Sequence, residues 1–162
     1  MSSLPQETIE VIKSLQKFSI HPILYGSQGV SRYIGQFKHF GGIDLLVDGH
    51  WMKESWQDLV AIMGILGFKL IDEHEHEFAH HNGLLVAFAD TGILIRDGIT
   101  KSIKDSAQTW TIGDVELRTL RPEVFLRVYE FSVNDGYRRE NRGKKDGEVI
   151  LLIKKYLAQE QG

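Results

Sequence analysis

Apolar residues recur along this chain at two periods, about 3.6 and about 2, and the order in which the periods alternate outlines a fold. Ser3 is placed to cap a first helix with Pro5 in its opening turn, and Ile9, Ile12 and Leu15, with Gln16, trace a partly apolar face up to Phe18. That helix ends before His21-Pro22, because the residue preceding a proline avoids the helical region. Ile23-Leu24-Tyr25 reads as a short buried strand and Gly26-Ser27 as a tight turn, with Val30, Tyr33 and Ile34 at helical spacing beyond. After Gly41-Gly42, the run from Ile43 to Asp48 alternates so that residues 44, 46 and 48 share one face and 43, 45 and 47 the other.

The positions Trp51, Met52, Trp56, Leu59, Val60, Ile62, Met63 and Leu66 predict one helix from Trp51 to Leu66, stopped by Gly67. Strands follow at Phe68 to Asp72, Glu75 to His80 and Leu84 to Ala89, the last two joined through the turn His81-Asn82-Gly83. Ile93-Leu94-Ile95 either extends the sheet or packs at its rim, and Thr109 to Ile112 and Val115 to Arg118 form a hairpin around Gly113-Asp114. Pro122 opens a helix carrying Val124, Phe125, Val128, Tyr129 and Phe131, which Asn134-Asp135-Gly136 stops, and a last helix runs from about Lys145 to Leu157. The order predicts an α/β or α+β fold, a mixed sheet covered by helices, with residues 1–162 forming a single domain.

Composition narrows the class. With 42% hydrophobic and 25% charged residues the chain is neither disordered nor collagen-like. A net charge of −3 speaks against broad binding to a phosphate backbone, so nucleic acid is not an expected partner. The basic group Arg138, Arg139, Arg142, Lys144 and Lys145 reads first as the solvated start of a helix. Without cysteine there is no disulfide, thiolate nucleophile or Cys-ligated metal, which fits a reducing cytoplasm. No run approaches the ~18 apolar residues of a membrane span, and the first residues lack the pattern of a signal peptide.

Candidate chemistry sits at the first two strands. A strand that ends in Gly26-Ser27 and leads into a helix aims unpaired backbone N–H groups at a phosphate, although a steric need for small residues explains the same turn. Asp44 lies inside an apolar strand, where an unpaired carboxylate is costly, and Asp48 shares its face, so the two are placed to offer oxygen ligands to Mg²⁺. Asp48 before Gly49 also reads as the start of a turn. In the run from Asp72 to Glu77, His74 and His76 share a face if the segment is a strand and could then hold a transition metal; a solvated hairpin end is the plainer reading.

The segments LYGSQGVSRYIG and GGIDLLVD resemble the signature of the nucleotidyltransferase fold. Arg142-Gly143-Lys144-Lys145-Asp146-Gly147-Glu148 is similar to the segment that opens the last helix in small lincosamide-type and toxin-type nucleotidyltransferases, and VELRTLRPEVFLRVYE resembles the strand and proline-led helix before it. The likeness spans residues 20 to 160 in one order. It implies transfer of a nucleoside monophosphate from a nucleoside triphosphate to a hydroxyl of a small-molecule or protein acceptor, with Mg²⁺ or Mn²⁺. Gly26, Ser27, Arg142 and Lys145 would hold the nucleotide, and Asp146 would fix the helix start.

The family's metal ligands are two carboxylates separated by one residue and a third on a later strand. Here the first maps to Asp44 but the second to Leu46, the third falls near Leu84 to Phe88 where only Asp90 is acidic, and Ser31 stands where lincosamide-type relatives carry an acid. Two Mg²⁺ ions about 4 Å apart repel by roughly 17 kcal/mol at an effective dielectric of about 20. Without a carboxylate at 46 to offset that repulsion, Asp44, Asp48 and Asp90 remain as the candidate catalytic set, with Asp44 and Asp48 holding a single metal. The alternative is an inactive nucleotide- or protein-binding module of the same fold, with no metal.

Overall fold

The computed structural model describes residues 4–35, 41–134 and 136–161, with side chains in the last segment described from 145 to 160. Helix α1 spans Gln6–Gln16, strand β1 Ile23–Tyr25, helix α2 Gly26–Ile34 and strand β2 Ile43–Val47. Helix α3 covers Trp56–Ile65, followed by strands β3 at Phe68–Asp72, β4 at Glu77–His80 and β5 at Leu85–Asp90. A short helix α4 at Ile93–Arg96 leads to strands β6 at Ala107–Ile112 and β7 at Val115–Leu120, then to helices α5 at Pro122–Asn134 and α6 at Gly136–Gln161.

Among the described residues the strands form one sheet of seven in the order β3-β4-β5-β2-β1-β7-β6. Its centre is mixed: β2 runs antiparallel to β1 and parallel to β5, while β1 runs parallel to β7. Strand alternation divides the core between two faces. On one, Leu24, Ile43, Leu45, Val47, Phe78, Val86 and Phe88 pack with Ile12 and Leu15 of α1 and Leu59 and Met63 of α3. On the other, Ile23, Leu46 and Leu120 pack with Val30 of α2, Phe125 of α5 and Ile153 of α6. The result is the expected mixed sheet covered by helices, and no helix among the described residues is long and apolar enough to cross a membrane.

Four local expectations are corrected. The helix expected from Trp51 to Leu66 breaks in two: a 3₁₀ turn spans Gly49–Met52, Lys53 adopts φ −128° and ψ −105°, and α3 starts only at Trp56. His50 anchors the break, its carbonyl accepting the Ser55 N–H at 2.8 Å and its Nδ1 lying 3.0 Å from Ser55 Oγ. Ile93-Leu94-Ile95 forms helix α4 rather than a strand, burying Leu94 alone. Residues 73–76 form a turn, with Asp72 Oδ1 accepting the Glu75 N–H at 3.0 Å and His76 at φ +52°, so the strand begins at Glu77. Finally α6 starts at Gly136, so Lys145 and Asp146 lie well inside it and Asp146 does not fix a helix start. Ser3 and Asp135 lie outside the described residues.

Candidate functional site

A cleft of about 480 Å³ opens on the α2/α5/α6 side of the sheet. Its floor is a single cross-strand row: Tyr25 of β1 pairs with Asp44 of β2, Asp44 with Ala87 of β5, and Ala87 with Glu77 of β4. Residues paired in register project to one face, so all four side chains meet the same cavity, and all four line it. Gly26 and Ser27 close one end at the start of α2, Gly41, Gly42 and Leu85 lie near the floor, and Tyr129, Ser132, Lys145 and Asp146 form the helical wall.

Gly26 is fixed by the carboxylate beside it. Its φ of +68° is in the left-handed region, and a Cβ there would lie 3.1 Å from Asp44 Cβ and collide with the Asp44 carboxylate. The glycine therefore allows Asp44 to stand against the first turn of α2, whose leading amides have no intrahelical acceptor. Behind that turn, buried Gln28 accepts a hydrogen bond from Thr8 Oγ1 and donates to the Gly42 carbonyl at 3.1 Å, tying α2 to α1 and to the entry of β2. Ser31 is 1% exposed and donates to the Gln28 carbonyl at 2.7 Å, so its hydroxyl serves the helix.

Lys145 is exposed at the cleft wall, and the neighbouring Asp146 is buried in it. Gly26, Ser27, Asp44 and Lys145 are thus brought together. The side chain of Arg142 lies outside the described residues.

Asp48 and Asp90 do not join them. Asp48 is exposed at the exit of β2, preceding the 3₁₀ turn, and is not among the residues lining the cleft. Asp90 pairs with Val47, which puts it on the opposite face from Asp44. There its Oδ1 accepts the Gly92 N–H at 2.7 Å, and a Cβ at Gly49 would lie 2.9 Å from its Oδ2. The expected convergence of Asp44, Asp48 and Asp90 is corrected accordingly: β2 ends at Val47, and parity sends Asp90 to the other face.

Leu46, two residues from Asp44, is fully buried in the second core with Ile23, Leu94 and Ile99. The space beside Asp44 is therefore packed with hydrocarbon. The expected shared face for His74 and His76 is lost because neither lies in the strand; the His76 ring stands edge-on to Trp56 at 4.9 Å. Among the described residues no group of three or more His, Asp or Glu side chains is arranged to hold a metal.

Sequence reasoning missed Glu77, Tyr129 and Ser132 as cleft residues. Glu77 was half legible: a loop of residues 81–83 pairs His80 with Leu84 and so Glu77 with Ala87, and the His80 N–H does bond the Leu84 carbonyl at 2.9 Å. The register of β5 on β2, which sets Ala87 beside Asp44, joins segments about 40 residues apart and has no local signal.

Comparison with known proteins agrees with this architecture. No protein-family model matches the chain. The uncharacterized protein YnaI of Bacillus subtilis (strain 168) is 30% identical over 163 residues, covering 95% of this chain and 97% of that protein. Among solved structures, an antigenic nucleotidyltransferase-like protein from Paracoccidioides brasiliensis superposes with a TM-score of 0.61 at 12% identity, over 94% of this chain and 78% of that one. The lincomycin-bound lincosamide antibiotic adenylyltransferase LnuA superposes with a TM-score of 0.59 at 16% identity, over 94% and 98%. The antibiotic-resistance factor ANT(2'')-Ia gives a TM-score of 0.54 at 13% identity, over 96% and 92%. The chain belongs to the family of Bacillus subtilis YnaI, and its fold is that of the nucleotidyltransferases.

Proposed function

We propose that this chain binds a nucleoside triphosphate together with one divalent cation in the cleft and transfers the nucleoside monophosphate to a hydroxyl of a small-molecule or protein acceptor. The observation that carries the reading is the meeting of the α2 N-terminus, Asp44 and Lys145 in one cavity, on a fold shared with an adenylyltransferase. The first-turn amides at Ser27 and Gln28 suit a phosphate, because helix N-termini carry unpaired N–H groups and a partial positive charge. Lys145 adds a point charge from the wall, and the buried faces of Val128 and Tyr129 shield the floor from water.

The donor set fits one hard cation and not a pair. Mg²⁺ takes one or two carboxylates and completes its shell with water and phosphate oxygens, which Asp44 and a triphosphate supply. A second ion would need a bridging carboxylate where Leu46 is buried. When bound, the ion neutralises phosphate charge and orients the α-phosphorus for in-line attack.

Calorimetric titration of ATP in the presence of Mg²⁺ should give binding that weakens at least tenfold in Asp44→Asn. ATP labelled at the α-phosphate should pass label to a hydroxyl acceptor in a reaction that Asp44→Asn abolishes. Absence of Mg²⁺-dependent nucleotide binding refutes the proposal. A second reading, a nucleotide-binding module without transfer, is favoured by the burial of Leu46. It predicts the same Mg²⁺-dependent binding with no labelled product from any hydroxyl acceptor.

A further inference from the structure

The floor of the cleft is asymmetric. On the β1 side of Asp44 stand groups suited to phosphates, Gly26 and Ser27 at the start of α2. On the β4 side the next position of the row is Ala87, a methyl group, and beyond it stands Glu77. Neighbouring strands are about 4.8 Å apart, so the backbones of residues 44 and 77 are separated by roughly 10 Å across a position with almost no side chain. Among the described residues no hydrogen bond or ion pair engages the Glu77 carboxylate, which is half-buried at the cavity edge. Strands at that spacing leave room for an α-phosphorus over Asp44 and an attacking oxygen over Ala87, within reach of a carboxylate on Glu77.

We infer that Glu77 is the general base of this cleft, taking the proton of the acceptor hydroxyl, and that the acceptor enters over Ala87 from the β4 side; the inference rests on the transfer reading above. The acceptor O–H bond breaks and its proton passes to a Glu77 carboxylate oxygen. The electron pair left on the acceptor oxygen forms a bond to the α-phosphorus, and the bond from the α-phosphorus to the bridging oxygen of pyrophosphate breaks, pyrophosphate leaving with that pair. The methyl group of Ala87 leaves that position open to the acceptor oxygen. The charged residues nearest Glu77 in the sheet are Asp72, paired with it on β3, and Asp44 across Ala87, while Lys145 and Asp146 of α6 line the same cleft.

The test uses the full chain with α-labelled ATP, Mg²⁺, and water and glycerol as hydroxyl donors, following AMP and glycerol-linked AMP. Glu77→Gln should lower kcat at least a hundredfold, within the range that general bases supply. It should leave Mg²⁺-dependent binding of a methylene analogue of ATP within about twofold, whereas Asp44→Asn should weaken that binding at least tenfold. The wild-type kcat should rise with pH through one carboxylate titration, and Glu77→Gln should lose that limb. If the wild type transfers and Glu77→Gln keeps its rate within threefold, or shows the same pH limb, Glu77 is not the base and the transfer reading stands. If the wild type neither binds the analogue nor releases AMP, both fall.

Discussion

Replacing Gly26 by alanine tests whether Asp44 is held where the cleft needs it. A non-glycine residue at φ +68° carries a left-handed penalty of about 1–2 kcal/mol. The added Cβ also meets the Asp44 carboxylate, and overpacking of that kind costs about 1–3 kcal/mol. Together the two effects should destabilise the protein by about 3 kcal/mol, or roughly 6–12 °C in Tm for a chain of this size. A double-mutant cycle separates them. Asp44→Ala removes the oxygen that the new Cβ strikes and leaves the backbone penalty, so in Gly26→Ala/Asp44→Ala the costs should fall short of the sum by about 1–2 kcal/mol. Urea unfolding of the four proteins measures this coupling. Additivity within about 0.5 kcal/mol would show that the carboxylate does not rest on Gly26, and the account of the turn would fail.

Three further outcomes are expected. Leu46→Asp gives up about 1.5–3 kcal/mol of burial and places a carboxylate among hydrocarbon, so its urea midpoint should fall steeply without recovery in Mg²⁺; a stable variant with new Mg²⁺ affinity would contradict the packing described. Asp90→Ala removes the acceptor of the Gly92 N–H and should cost about 1–2 kcal/mol while leaving nucleotide affinity unchanged; a tenfold loss of affinity by calorimetry would return Asp90 to the site. Burial pushes the Tyr33 phenol up to about 12, against the hydrogen bond with Thr119 that lowers it. The folded state therefore holds this proton more tightly than the unfolded state, so the contribution is intact below pH 10 and is lost as pH rises to about 12. Two pH units correspond to about 2.7 kcal/mol. The stability difference between wild type and Tyr33→Phe should shrink by about that amount from pH 9 to pH 12, and parallel profiles would refute the assignment.

The elements most legible in the sequence are those whose partners lie close along the chain. The alternation of residues 43–47 determines which side of β2 meets which core, and it separates Asp44 from Leu45 as expected. The hairpin of β6 and β7 around Gly113-Asp114 also forms where turn chemistry placed it, with strands longer than expected. Side-chain spacing misled where the backbone had a cheaper option. Trp51 and Met52 fit the period of α3, yet the bonds from His50 to Ser55 end a 3₁₀ turn before that helix starts. His74 and His76 alternate on paper, but Asp72 accepting the Glu75 N–H turns the chain there. For the site, Asp44 and Gly26 were readable because one strand and one turn contain them. Asp48 was misplaced because β2 ends at Val47, and Asp90 was misplaced and Glu77 missed because their faces depend on the register of a parallel pair between distant segments.

The burial of Leu46 bears on how freely this chain can change. Ile23 of β1 is its cross-strand partner, and the core it lies in also takes Leu94 of α4 and Ile99. A carboxylate at 46 would lie in that closed hydrocarbon core, so any benefit in metal binding arrives only after the surrounding packing has moved. Single substitutions are then penalised in packing before chemistry can reward them, and the position is insulated from stepwise reversal. Change in this cleft is easier on its other flank, where Ala87 is small and Glu77 stands at the cavity edge, and where a new side chain meets open volume instead of a closed core.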